Sequence, residues 1–379
     1  MVEFHRNGRL TKGVNATFIS LIPKVESPQR LNDFRPISLV GCIYKVLATI
    51  LANRLRAVIG SVVSDAQSAF VKGKQILDGI LVANEAMDGA RRLHKEMLLF
   101  KVDFEKAYDS VDLKYLDTVM LQMNFPTLWR KWIYECVGTA TASVLVNGCP
   151  TDEFPMERGL RQGDPLCPFL FLLAAVGFNI LMQSLLEAGL FRGYMVGRDT
   201  TMCLSHLQFA DDTLIIGEKC WSNVRSIRVV LLIFEHVSGL KVNFNKSLLT
   251  GVNVSDSWLH EAALVLNCRV GAFPFVYLGL PIGGDPRRLD FWNPILNTIT
   301  SRLSSWKRKF LSFGGCLVLL KSVLSLLPVY FLSFFKAPAC IIYSIESLLN
   351  FFLGGVVRIL EKLLGWIGTL FVYLGRKVV

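Results

Sequence analysis

Two short apolar runs, Leu207-Gln208-Phe209 and Thr213-Leu214-Ile215-Ile216, flank Ala210-Asp211-Asp212. The pattern predicts a strand, a tight turn and a second strand, and a hairpin tip is one of the few places where neighbouring acids can both face a cleft. Met97 to Val102 is apolar apart from Lys101 and predicts a buried strand that ends at Asp103. Thr17 to Ile22 predicts another strand. Thr141 to Val146 is β-rich and runs into Asn147-Gly148, a strong signal for a two-residue hairpin. Helical spacing marks Tyr44 to Ile59, with Val46, Leu47, Ile50, Leu51, Leu55, Val58 and Ile59 on one side and Lys45, Arg54 and Arg56 elsewhere. Pro168 to Leu186 and Val224 to Val237 are also predicted helices. Asp164 and Pro165 are placed to cap the first of these and occupy its first turn, and the helix is expected to end before Gly189. Gln67 to Gln75 reads as a basic, glycine-bearing connection with Lys72 and Lys74.

The chain has 379 residues, enough for one large or two to three small domains. Hydrophobic residues make up 52% of it, which raises the question of a membrane span. The strongest apolar run, Pro168 to Leu186, is broken by Asn179 and Gln183, favouring a buried helix over a span of roughly 20 apolar residues. Phe351 to Leu374 is interrupted by Arg358, Glu361 and Lys362. No membrane association is therefore expected. The net charge of +11 suits a polyanionic partner but does not by itself separate nucleic acid from an anionic membrane surface. Nine cysteines with no zinc-knuckle spacing read as reduced thiols, and Met1 to Gly13 is polar and basic rather than a leader. Both point to an intracellular protein of the nucleus or cytoplasm.

Adjacent carboxylates repel, and a divalent cation relieves that repulsion. Hard oxygen ligands suit Mg²⁺, which takes one or two carboxylates plus substrate phosphates. A bare Asp-Asp is most often a solvated turn, but the flanks here are too apolar for that. Asp103, Asp211 and Asp212 come from two strand ends far apart in sequence, so only a fold unites them. Together they could hold two metal ions about 3.5 to 4 Å apart, the clamp that stabilises attacking and leaving oxygens in phosphoryl transfer.

Several further motifs fall in one order. They are Leu21-Ile22-Pro23-Lys24, Phe34-Arg35-Pro36-Ile37-Ser38-Leu39, Asp103 to Asp109, Arg158-Gly159-Leu160-Arg161-Gln162-Gly163-Asp164-Pro165, Phe209-Ala210-Asp211-Asp212, Ser238 to Asn243 with Lys246-Ser247, and Tyr277-Leu278-Gly279-Leu280-Pro281. With them the chain, from about residue 15 to 355, resembles the reverse transcriptases of LINE-type (non-LTR) retrotransposons, particularly plant ones.

The resemblance implies an α+β polymerase right hand with fingers, palm and a helical partial thumb. It implies fingers over 15–96, palm with part of the fingers over 97–281, and a thumb-like region over 282–355. Residues 1–14 are expected to be a ragged start, and 356–379 a frameshifted hydrophobic tail, since a shifted frame of permitted codons restores the family's continuation. The implied function is an RNA-directed DNA polymerase acting on an RNA template, a DNA primer and dNTPs, with two Mg²⁺ (or Mn²⁺) ions on Asp103, Asp211 and Asp212. Lys24 and Arg35 would meet the triphosphate, Tyr108 would form the steric gate beneath the sugar, and Lys246 would protonate the leaving pyrophosphate. Arg161 and Gln162 would be polar contacts to template and nucleotide, with Gly163 allowing close backbone approach. Tyr277 to Pro281 resembles the primer grip, and Arg302, Lys307, Arg308, Lys309 and Lys321, with Trp292 and Trp306, resemble a duplex-gripping thumb. Two departures stand out: Cys167 replaces the family's usual Ser, and Lys74 its usual Arg. The alternative reading is a catalytically silent, truncated remnant that at most binds nucleic acid.

Overall fold

The run Met97–Val102 forms strand β3 at the centre of a five-stranded sheet, and every residue of it except Lys101 is buried. This computed structural model describes residues 2–197, 202–305 and 313–353, and the chain divides into two compact units, Met1–Ala272 and Phe273–Val379.

In the first unit the central sheet has the order β12-β11-β3-β10-β9, with β9 at His206–Phe209, β10 at Asp212–Glu218, β11 at Leu248–Val252 and β12 at Arg269–Val270. Strand β3 is antiparallel to both neighbours. Side chains alternate across a strand, so Leu98, Phe100 and Val102 enter the main core beside Phe171, Phe178 and Phe234. Each contributes roughly 1.5–3 kcal/mol by burial. The helix Ile76–Arg92 packs against β9 and β11.

A second sheet has the order β2-β1-β4-β5, with β1 at Ala16–Pro23, β2 at Phe34–Val40, β4 at Thr141–Val146, β5 at Cys149–Pro150 and β6 (Phe154–Pro155) paired to β4. Asn147 and Gly148 form the expected two-residue turn between β4 and β5, both left-handed at φ +52° and +83°. A small ribbon joins β7 (Tyr194–Val196) to β8 (Met202–Leu204).

The helix Cys42–Val62 buries Leu47, Leu51, Leu55 and Ile59 of the expected apolar side. Tyr44, Ala48 and Ala52 are buried, while Val46, Ile50 and Val58 remain 55%, 41% and 44% exposed. The buried face therefore combines leucines with small residues, and the helix packs against the neighbouring helix Cys167–Glu187. That second helix starts later than Asp164-Pro165 suggested. Its first turn carries Pro168, and no side chain caps it. Among the described residues only this helix is long and apolar enough to cross a bilayer, and Phe169 to Val176, Phe178 and Met182 place its apolar surface in the core. It ends at Glu187, before the left-handed Gly189, as expected.

Within residues 1–14 the helix Val2–Asn7 docks through Phe4, 5% exposed and stacked 6.0 Å from Trp132, and Leu10 N–H donates to Glu135 Oε1 at 2.7 Å.

In the second unit β13 (Phe275–Tyr277) and β14 (Leu280–Ile282) close the Tyr277–Pro281 turn through left-handed Leu278 and Gly279, and Tyr330 Oη donates to Leu278 O at 2.8 Å. Trp292 is fully buried among Phe291 and Phe331, with helices Asn293–Ser305 and Ala339–Leu353 in the same unit. Trp306, Lys307, Arg308, Lys309 and the 356–379 tail lie outside the described residues.

Candidate functional site

The β9–β10 hairpin is closed by the pair Phe209↔Asp212, leaving Ala210-Asp211 as its two-residue tip. The pair Val102↔Thr213 continues in register to set Asp103, just beyond β3, across from Asp212. The fold thus brings the three carboxylates to one sheet end. Burial raises the pKa of all three above the usual carboxylate range. For Asp211, a hydrogen bond to its own backbone partly opposes burial, while Asp212 and Asp103 add repulsion. Lys246, and after it Lys101, holds Asp103 down, and Lys101 does the same for Asp212.

Asp103 and Asp211 line a cleft of about 1300 Å³ with Lys24, Arg35, Tyr108, Arg161, Gln162, Gly163 and Lys246. Asp212 is not among the lining residues. Among the described residues no group of three or more His, Cys, Asp and Glu side chains converges closely enough to hold a metal unaided. The donor set still fits Mg²⁺, which needs only one or two carboxylates when substrate phosphates complete its shell.

The backbone around Asp103 is laced to the segment that carries Lys246. Asp103 N–H donates to Ser247 Oγ at 3.0 Å, Asn243 N–H donates to Asp103 O at 2.7 Å, and Ser247 Oγ donates to Asn243 O at 2.9 Å. Lys24 Nζ donates to Asn32 O at 3.1 Å, and Arg35 is exposed on β2 opposite Ile22. Tyr108 stacks on Phe171 with ring centroids 4.5 Å apart, and burial followed by the charge of Asp211 raises its pKa. Gly159 is left-handed at φ +82°, and any Cβ there would collide with the Asp109 carbonyl. Gly163, at φ +101°, leaves room for a Cβ only 3.0 Å from Ser38 O.

Arg161 stands apart from the expected contacts to template and nucleotide. It is 4% exposed, its guanidinium donates to Asn15 Oδ1 at 2.9 Å and Cys136 O at 2.9 Å, and it pairs with Asp164 Oδ2 at 3.0 Å. It also covers the Tyr44 ring at 4.2 Å, and Tyr44 Oη donates to Asp164 Oδ2 at 2.6 Å. Asp164 is therefore engaged by Tyr44, Arg161 and Leu166 N–H rather than capping a helix. Lys74 is likewise held by Asp65 and the Gln67 carbonyl.

Sequence reasoning passed over Asp109, which lines the cleft, is raised by burial and accepts from Gln162 Nε2 at 3.3 Å. It also passed over Gln67. The Asn243 and Ser247 positions were legible in the motif, but not their hydrogen bonds to Asp103.

Residues 22–282 match the reverse transcriptase (RNA-dependent DNA polymerase) family. The chain is 25% identical over 327 residues to the Xenopus laevis transposon TX1 uncharacterized 149 kDa protein, covering 83% of this chain and 24% of that protein. It is 26% identical over 249 residues to the Drosophila melanogaster Pol polyprotein from the type-2 retrotransposable element R2DM, covering 65% of this chain and 22% of that protein. The chain thus spans about a quarter of the length of these relatives. In structure it resembles the telomerase of Candida tropicalis in complex with a fragment of telomeric RNA, with TM-score 0.50 and 13% identity, covering 95% of this chain and 56% of that one. The expected α+β right-hand polymerase fold is borne out. With 261 of its residues inside the family match, the chain belongs to the reverse transcriptase family, the RNA-directed DNA polymerases.

Proposed function

We propose that the chain is the polymerase core of a plant LINE-type (non-LTR) retrotransposon, extending a DNA primer along an RNA template with dNTPs inside the cell. The observation that carries this reading is the convergence of Asp103, Asp211 and Lys246 with Tyr108 in one cleft, where the carboxylates repel each other. Asp103 and Asp211, with Asp212 behind them, would hold two Mg²⁺ ions, which supply charge neutralisation for the attacking and leaving oxygens. Lys24, just beyond β1, and Arg35 on β2 meet the triphosphate. Lys246 donates a proton to the departing pyrophosphate, and Gln162 with Gly163 lies along the nucleotide. Arg161 holds the loop that presents them.

Tyr108 is rigid against Phe171 and excludes a 2′-hydroxyl by its bulk. Tyr108→Ala is expected to admit ribonucleotides, lowering dNTP-over-rNTP discrimination by about tenfold or more. Extension with each nucleotide class on an RNA template measures it, and a variant that still refuses ribonucleotides removes Tyr108 from this role.

Binding to an RNA–DNA duplex should fall steeply with salt and vary little with sequence, because cationic side chains displace counterions from phosphates. A salt titration decides this, and a flat dependence would argue against a backbone-reading nucleic-acid surface.

A further inference from the structure

We propose that Gln67 is a positioning residue for the Asp211 turn: its side-chain oxygen holds Ala210 in the backbone conformation that aims the adjacent carboxylate into the cleft. What that carboxylate then does rests on the polymerase reading above.

Ala210 sits at φ +53°, a left-handed position that glycine takes freely and alanine does not. It is also 6% exposed, so its N–H needs an acceptor within the protein. Gln67 Oε1 is that acceptor, at 3.0 Å and across 143 residues of sequence, and it also accepts from Ala69 N–H at 2.9 Å. Gln67 itself is 2% exposed, and its Nε2 is buried without a partner, so only the oxygen end of the amide is used.

The platform beneath this oxygen is fixed. Gln208 N–H donates to Ala66 O at 2.8 Å, Ser68 N–H donates to Gln208 O at 3.0 Å, and Gln67 N–H donates to Ser64 O at 3.1 Å. The segment Ala66–Ser68 therefore covers the outer edge of β9 and delivers one acceptor to the residue that precedes Asp211.

The test compares Gln67→Met, which keeps length and apolar bulk but removes the acceptor, with the unaltered chain. Single-turnover extension should slow by about tenfold or more, while nucleotide half-saturation and duplex binding stay within about twofold. Hydrogen exchange at the Ala210 amide should accelerate by a similar factor, with β3 amides unchanged. Adding Ala210→Gly to Gln67→Met should restore most of the rate, because glycine adopts the left-handed turn unaided. Gln67→Glu, which retains an acceptor of the same reach, should keep the Ala210 amide protected and decides the matter where the Met variant does not fold. Unchanged rate and exchange in Gln67→Met would overturn the proposal. So would loss of rate together with duplex binding and no rescue by Ala210→Gly, or loss of Ala210 protection in Gln67→Glu. If the unaltered chain does not extend a primer, the polymerase reading fails separately, and the exchange measurements still decide the positioning role.

Discussion

Asp211→Asn is expected to abolish primer extension, a loss of roughly a thousandfold or more, or about 4 kcal/mol of barrier at 1.36 kcal/mol per tenfold. Asp103→Asn should behave the same way. The substitution keeps the shape of the side chain and its place at the hairpin tip, and removes the negative charge that the proposed metal site requires. Stability should move in the opposite direction. The pKa of Asp211 is raised in the folded chain by burial, then by Asp212 and Asp103. A carboxyl with a raised folded pKa stabilises below its unfolded pKa, and that contribution is lost as pH rises through the folded value. At neutral pH and without metal the charged form therefore opposes folding, so Asp211→Asn should melt at the same temperature as the parent or higher. Added Mg²⁺ should raise the melting temperature of the parent more than that of the variant. A variant that extends at the parental rate would dissociate Asp211 from the chemistry.

Arg161→Met is expected to destabilise the first unit strongly. Its guanidinium and Asp164 form a buried pair at 3.0 Å, and removing one partner leaves the other charge uncompensated. The loss is about 3–5 kcal/mol, which for a unit of this size lowers the melting temperature by roughly 10 °C. Asn15 Oδ1 loses its Arg161 donor at the same time, and the Cys136 carbonyl keeps only Asn15 Nδ2. The double variant Arg161→Met with Asp164→Asn should lose less than the sum of the two single changes, because the stranded charge is gone. Thermal unfolding of the three variants measures this coupling. Strictly additive losses would mean that the pair is not a unit, and a stable Arg161→Met with weakened nucleotide binding would return Arg161 to the nucleotide.

Much of this arrangement was legible in the chain. Short apolar runs beside carboxylates located β3 and the β9–β10 hairpin, and Asn147-Gly148 announced its own turn, because these signals are local. The helix Cys42–Val62 was found with Leu47, Leu51, Leu55 and Ile59 on its buried side, but apolar size also put Val46, Ile50 and Val58 there, where Tyr44, Ala48 and Ala52 are buried instead. Asp164 and Pro165 matched a capping signature, yet Tyr44 and Arg161, reachable only in three dimensions, took the carboxylate. Gln67 escaped notice for the same reason: its partner is 143 residues away and is a backbone amide, which leaves no side-chain pattern to read.

Primer extension by the purified chain is the most direct test of the account. A labelled DNA primer annealed to an RNA template, with Mg²⁺ and dNTPs, should lengthen in the order that the template dictates, and omission of Mg²⁺ or the Asp211→Asn change should stop it. Salt-sensitive binding of the same duplex without any extension would contradict the polymerase reading and make the chain a silent nucleic-acid-binding remnant.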